Sequence, residues 1–201
     1  MKPRTVSALT FDLWDTLVID DSDEARRSRL GLPSKAEARV RLVEDAFARR
    51  GLDRPRAREA LATASAWCRE EWEEQAITPA LSDRLAAAYE AAGLKPDGEL
   101  DALIHGFATM EVLHPPEPAP GVHEALELLS SRFPLGIVSD AVVTPGRELR
   151  RILQQYGLLH YFQVCVFSDE AGRSKPHASV FHRAAAGLGV PVGNIAHVGD
   201  R

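Results

Sequence analysis

Apolar residues follow two different spacings along this chain, and the changes between them divide it into stretches. Residues 6–11 carry Val6, Ala8, Leu9 and Phe11 in a short run without helical periodicity. Such a run predicts a buried strand of a parallel sheet. Residues 19–24 are acidic and unpatterned and predict a loop, and Arg26, Arg27 and Arg29 read as its solvated basic continuation. From Ser34 the spacing turns helical: Ser34 and Glu37 form a capping box, Val40, Val43, Ala46 and Phe47 mark one face, and Gly51 stops the helix near Arg50. A second helix is predicted over 55–75, with Leu61, Ala64, Cys68 and Trp72 on or near one stripe. Glu70, Glu71, Glu73 and Glu74 fall mostly outside it and read as a solvated face. Thr78-Pro79 predicts the start of a third helix that ends at Gly93, and a fourth covers 97–112. Four successive helices without a strand predict a bundle.

The proline-rich run 115–121 cannot continue a helix, because proline lacks the N–H donor and disfavours the α conformation of the residue before it. Beyond it the pattern alternates: helix 122–132, strand 135–138, helix 145–156, strand 162–167, helix 176–188, strand 195–198. Alternation of this kind predicts an α/β fold, a parallel sheet with helices on both faces. The helical block is then an insertion after the first strand, giving a core of residues 1–18 and 115–201 and a helical subdomain of residues 19–114.

A chain of 201 residues is long enough to bury roughly 70% of its unfolded surface without covalent staples. Its net charge of −5 excludes a phosphate-tracking surface of the kind nucleic-acid binding requires. No apolar run approaches the ~18 residues of a membrane span, and no leader precedes Asp12, which leads us to expect a cytoplasmic protein. Cys68 and Cys165 sit far apart in apolar settings and read as reduced thiols. The seven histidines show no metal-ligand spacing, and Trp67 and Trp72 read as packing residues of the second helix. Monomer and homodimer both stay open.

Polar chemistry collects where the predicted strands end. Asp12, Asp15 and Thr16 follow the first strand; the hydroxyl of Ser139 ends the second; Ser168 to Lys175-Pro176 follow the third; Gly199-Asp200 follow the last. The C-terminal ends of strands in an open α/β sheet are where such folds bind ligands. Taken singly, each residue has a plain alternative: Asp12 and Asp15 as turn-bonding aspartates, Ser139 as a loop cap, Lys175 as a solvated lysine before a helix.

Together, in this order and spacing, the four stretches resemble motifs I to IV of the haloacid dehalogenase superfamily of hydrolases. The resemblance extends from Leu9 to Asp200 and implies a Rossmann-like core with a helical cap inserted between motifs I and II and a short flap near residues 19–25. It implies a nucleophile at Asp12 with Thr16 as its motif partner, a hydroxyl at Ser139 and a cation at Lys175 that both hold the transferring group, and Mg²⁺ bound by Asp12, Asp200 and the main-chain carbonyl of Trp14. It also implies a small-molecule substrate, phosphorylated or halogenated. One position departs from the family's phosphatases: two residues after the nucleophile they carry a general acid–base aspartate, and this chain has Trp14. Dehalogenases of the family carry an aromatic there, whereas Gly199-Asp200 matches the metal-using phosphatases. Asp15, one residue later, either bonds the turn or supplies a proton. A Mg²⁺-dependent phosphatase is therefore the expected function, with metal-independent cleavage of a carbon–halogen bond, or binding without turnover, as alternatives.

Overall fold

The computed structural model describes residues 5–200. Strand β1 (Ala8–Phe11) is buried at every position, which explains why its sequence shows no apolar–polar alternation. Its partners are β2 (Leu135–Ser139), β3 (Val164–Phe167) and β4 (Ile195–Val198), all parallel, in the order β3-β2-β1-β4. The chain thus steps from β1 outward to β2 and β3, then returns to the opposite side of β1 for β4. This reversal places the topological switch point between β1 and β4, where open α/β sheets form their crevice. The register sets Phe11 beside Ile137 on one side and Val198 on the other, so the strands end at a common edge.

Between β1 and β2 lie α1 (Glu24–Arg29), α2 (Lys35–Ala48), α3 (Arg54–Gln75), α4 (Leu81–Ala91), α5 (Gly98–Leu113) and α6 (Val122–Ser130). Helices α2 to α5 bury an apolar cluster of their own, with Phe47 edge-on to Tyr89 at its centre. Each fully buried side chain of that size contributes about 1.5–3 kcal/mol, so the block carries substantial packing energy independent of the sheet. The sheet's cluster joins Phe11, Leu13, Leu17 and Ile137 to Leu149 and Ile152 of α7 (Gly146–Gln155). Helix α9 (Ala178–Leu188) covers β2 and β3 through Val180 and Ala184.

Four boundaries differ from the sequence reading. Arg26, Arg27 and Arg29 belong to α1, not to a solvated loop: Arg27 is buried with Nε donating to the Pro33 carbonyl at 3.0 Å, and Arg26 donates to the Pro115 carbonyl. A six-residue helix rich in arginine carries no apolar period, so the pattern could not reveal it. The third helix begins at Leu81, because Thr78 turns inward and donates to Ser168 Oγ at 2.8 Å. Strand β3 starts at Val164, after a 3₁₀ turn over Leu159–Tyr161, and is followed by a short helix α8 (Ser168–Ala171). The helix cap at Ser34 and the stop near Arg50 are as expected, with the Glu37 N–H donating to Ser34 Oγ at 3.2 Å, while the Glu37 carboxylate pairs with Arg41 and Arg58 instead of closing a capping box.

Two tests follow from the packing around the sheet. A Cβ at Gly146 would lie 2.6 Å from Cβ of the fully buried Phe167, so Gly146→Ala is expected to destabilise by about 1–3 kcal/mol in urea unfolding. The second concerns His197, which faces Thr10 across the β1–β4 pairing with Nδ1 3.0 Å from Thr10 Oγ1. Burial, and then the positive charge of Lys175, lower its pKa below the ordinary histidine value. A depressed pKa contributes stability that is present above about pH 6.5 and is lost as pH falls, because the unfolded chain takes up the proton first. The drop in unfolding free energy between pH 7.5 and 5.5 is therefore expected to be smaller in His197→Asn than in the unaltered chain.

Candidate active site

Asp12 follows the last residue of β1 and is buried, with its N–H donating to the Val198 carbonyl at 2.8 Å. One carboxylate oxygen accepts the Leu13 N–H at 2.8 Å; the other pairs with the ammonium of Lys175. Lys175 is placed by Asp140, whose Oδ1 accepts the Lys175 N–H at 2.9 Å, while its Oδ2 accepts the indole N–H of Trp72 from α3 at 3.3 Å. Burial raises the Asp140 pKa above the usual carboxylate range; the Lys175 N–H and charge and the Trp72 N–H draw it back, and the Asp12 charge adds to the rise.

These residues border a cavity of about 580 Å³ at the strand ends, enclosed on the far side by the helical block. Asp12, Trp14, Asp15, Lys175 and Asp200 all line it. Thr16 and Ser139 do not: both sit behind the surface, their hydroxyls buried and without a hydrogen-bond partner among the described residues. Asp15 is exposed in a left-handed conformation (φ 52°), its N–H donating to the Val18 carbonyl at 2.7 Å and Oδ1 accepting the Asp20 N–H at 3.0 Å. It is a residue that ties its turn together, although it also borders the cavity.

Several lining residues escaped the sequence reading. Asp140 could have been found by the logic that selected Asp12 and Asp200, a carboxylate directly after a buried strand. Trp72, read as packing, instead spans from α3 to the β2 end, whereas Trp67 stays partly exposed away from the cavity. His197, read as an ordinary core or surface histidine, lines the cavity wall with Phe181 edge-on at 5.3 Å. Lys35, Arg39 and Glu111 line it from the helical block, and the helical period of α2 and α5 carried no sign of this. Lys35 is nearly inaccessible yet within 3.1–3.4 Å of Asp20, Asp21, Asp23 and Glu111. Burial alone would lower its pKa, but Glu111, Asp21 and Asp23 outweigh that and hold it above the ordinary lysine range.

Among the described residues no three His, Cys, Asp or Glu side chains gather as a metal cluster. Asp12 and Asp200 bring two carboxylates to one cavity beside Trp14, a donor set suited to a hard cation that takes its other ligands from water and substrate. Both cysteines are free, and no described helix is long and apolar enough to cross a membrane.

Comparison with known proteins agrees with this architecture. Residues 6–201 match the family model of haloacid dehalogenase-like hydrolases. The chain is 29% identical over 200 residues to the Escherichia coli 5-amino-6-(5-phospho-D-ribitylamino)uracil phosphatase YigB, spanning 97% of this chain and 75% of that protein. Among solved structures, YfnB from Bacillus subtilis, bound to magnesium, superimposes with a TM-score of 0.59 at 19% identity, covering 98% of this chain and 81% of that one. The 2-haloacid dehalogenase of Pseudomonas syringae pv. Tomato gives a TM-score of 0.56 at 20% identity, covering 98% and 79%. These two likenesses bear on the fold. With a family model matching almost its whole length and a parallel sheet whose strand ends share one cavity, the chain belongs to the haloacid dehalogenase-like hydrolase family.

Proposed function

We propose that this hydrolase is a Mg²⁺-dependent phosphomonoesterase that passes the phosphoryl group through Asp12. The observation that carries this reading is the charge of the cavity beside Asp12: Lys175 faces the carboxylates of Asp12, Asp15, Asp140 and Asp200. A phosphate dianion cannot approach such an excess of negative charge unless a further cation is present. Asp12, Asp200 and the Trp14 carbonyl are the groups that would hold Mg²⁺, which when bound neutralises phosphoryl oxygens and orients the group for in-line displacement. The phosphatase activity in the name of the Escherichia coli relative supports the same assignment.

In this reading the Asp12 carboxylate attacks phosphorus, the bond to the leaving oxygen breaks, and an aspartyl-phosphate forms; water then attacks phosphorus and restores the carboxylate. Lys175 pairs with the Asp12 carboxylate and offsets charge on the transferring group. Ser139 and Thr16, whose buried hydroxyls have no hydrogen-bond partner among the described residues and do not line the cavity, reach the phosphoryl oxygens only when the strand-end loops shift on binding substrate. The helical block of residues 19–114 acts as the cap that excludes water. Trp14 cannot donate a proton, and Asp15 is engaged by the Asp20 N–H, so the leaving oxygen takes its proton from solvent or from a released Asp15. General acid help is worth roughly 10²–10⁴-fold, so its absence favours esters whose leaving groups need none.

Trp14 also favours a second reading, displacement of halide from a carbon next to a carboxylate, since halide leaves unprotonated. The two are separated by assaying phosphate release from p-nitrophenyl phosphate and halide release from 2-chloropropionate, each with Mg²⁺ and with EDTA. The expected outcome is phosphate release that EDTA abolishes, at least about a thousandfold weaker in Asp12→Asn and about 10²–10³-fold weaker in Lys175→Met. Halide release that survives EDTA would instead establish the second reading.

A further inference from the structure

The wall of the cavity that the helical block supplies has its own electrostatic character, and it bears on what the leaving group can be. At first sight Lys35 and Arg39 look like receptors for a second anion. Their charges are already matched: Lys35 Nζ lies 3.1 Å from both Asp21 and Asp23 and 3.4 Å from both Asp20 and Glu111, and Arg39 donates to Glu111 at 3.1 Å. Two cations therefore meet four carboxylates. Lys35 and Glu111 are both more than nine-tenths buried, so their charges are poorly screened and their geometry is fixed by α2 and α5.

A carboxylate or second phosphate on the leaving group would enter a region whose cations are occupied and whose net charge is negative. Hydroxyl groups meet the opposite situation. Carboxylate oxygens carry several acceptor sites each, and those of Asp20 and Asp21 are half to three-quarters exposed and keep lone pairs available. The Thr144 hydroxyl, spent as a donor to Glu111, can still accept, and the buried Nε of Arg39 has no hydrogen-bond partner among the described residues. On the phosphatase reading above, we infer that the substrate is a monophosphate whose remainder carries hydroxyl or amine donors and no second anion, and that Lys35, Glu111 and Asp21 enforce this choice. Selectivity here comes as much from repelling the wrong partner as from attracting the right one.

Ribitol 5-phosphate and 5-phosphoribonate test it, because they differ at a single carbon, a hydroxymethyl group in one and a carboxylate in the other. Their dissociation constants are measured by calorimetry with Mg²⁺ on the Asp12→Asn protein, which does not turn them over. Phosphate release from p-nitrophenyl phosphate by the unaltered chain, run in parallel, reports separately on the phosphatase reading. Ribitol 5-phosphate is expected to bind at least about 30-fold more tightly. Adding Glu111→Gln is expected to narrow that ratio at least tenfold, and Asp21→Asn at least threefold, each by freeing part of the Lys35 charge for the carboxylate. Asp21 sits at the surface with φ 57°, a left-handed conformation that asparagine also adopts, so this variant keeps the test open if Glu111→Gln does not fold. Equal binding, tighter binding of the ribonate, binding of neither compound, or a ratio that neither variant changes would overturn the proposal.

Discussion

The structure depends on one charge pair that is unfavourable to build and must be held from several sides. Asp12 and Lys175 are 163 residues apart in sequence and meet where both are largely removed from water. Desolvating two such charges costs about as much as their attraction returns, whereas removing one partner typically costs about 3–5 kcal/mol because the other stays buried and unmatched. The pair is therefore weak evidence for stability and strong evidence for a place where charge is wanted. What holds it is the sheet: β4 takes the Asp12 N–H, and Asp140 at the end of β2 takes the Lys175 N–H. Three strand ends thus fix the distance between an anion and a cation before any ligand arrives.

That arrangement was legible in the sequence to the extent that it rests on periodicity and on strand ends. A buried run ending in Asp12, another ending in Ser139, and a lysine before a helix are features of local pattern, and the parallel sheet brings them together by rule. The boundaries that failed to read are those decided by single polar contacts: Thr78 turning in to Ser168, and the arginines of α1 reaching the carbonyls of Pro33 and Pro115. The far wall of the cavity was not legible at all. Lys35 follows a helix cap and looks like any first-turn lysine, and Glu111 lies on a helix whose apolar period is the dominant signal. Only the packing of α2 against α5, with residues 19–23 laid across them, turns these into one buried cluster.

Trp72 and Asp140 show how the two parts of the chain communicate. Asp140 has two carboxylate oxygens and gives one to the loop that carries Lys175 and one to the helical block through the Trp72 indole. The second bond, at 3.3 Å, is the longer and so the easier to release. The parts also meet at shorter bonds: Thr78 donates to Ser168 Oγ at 2.8 Å and the Ser174 N–H donates to the Ala76 carbonyl at 2.8 Å, so Asp140 is one of several links between them.

The core wall and the helical-block wall of the cavity differ in how their charges are matched. Near Asp12, four carboxylates face one lysine, and on the phosphatase reading the phosphate settles there together with a divalent cation. On the helical-block wall the carboxylates again outnumber the cations, but Lys35 and Arg39 are already engaged, leaving acceptors and a buried N–H donor rather than open charge. On the phosphatase reading, a dianionic monophosphate has one favourable direction of entry, phosphate towards Asp12 and uncharged remainder towards Lys35. The reverse pose would place two negative charges against an occupied cluster, and a like-charge contact of that kind costs several kcal/mol. Orientation, which in many sites is supplied by direct contacts with the phosphate alone, here follows from an asymmetry in how completely the protein has matched its own charges.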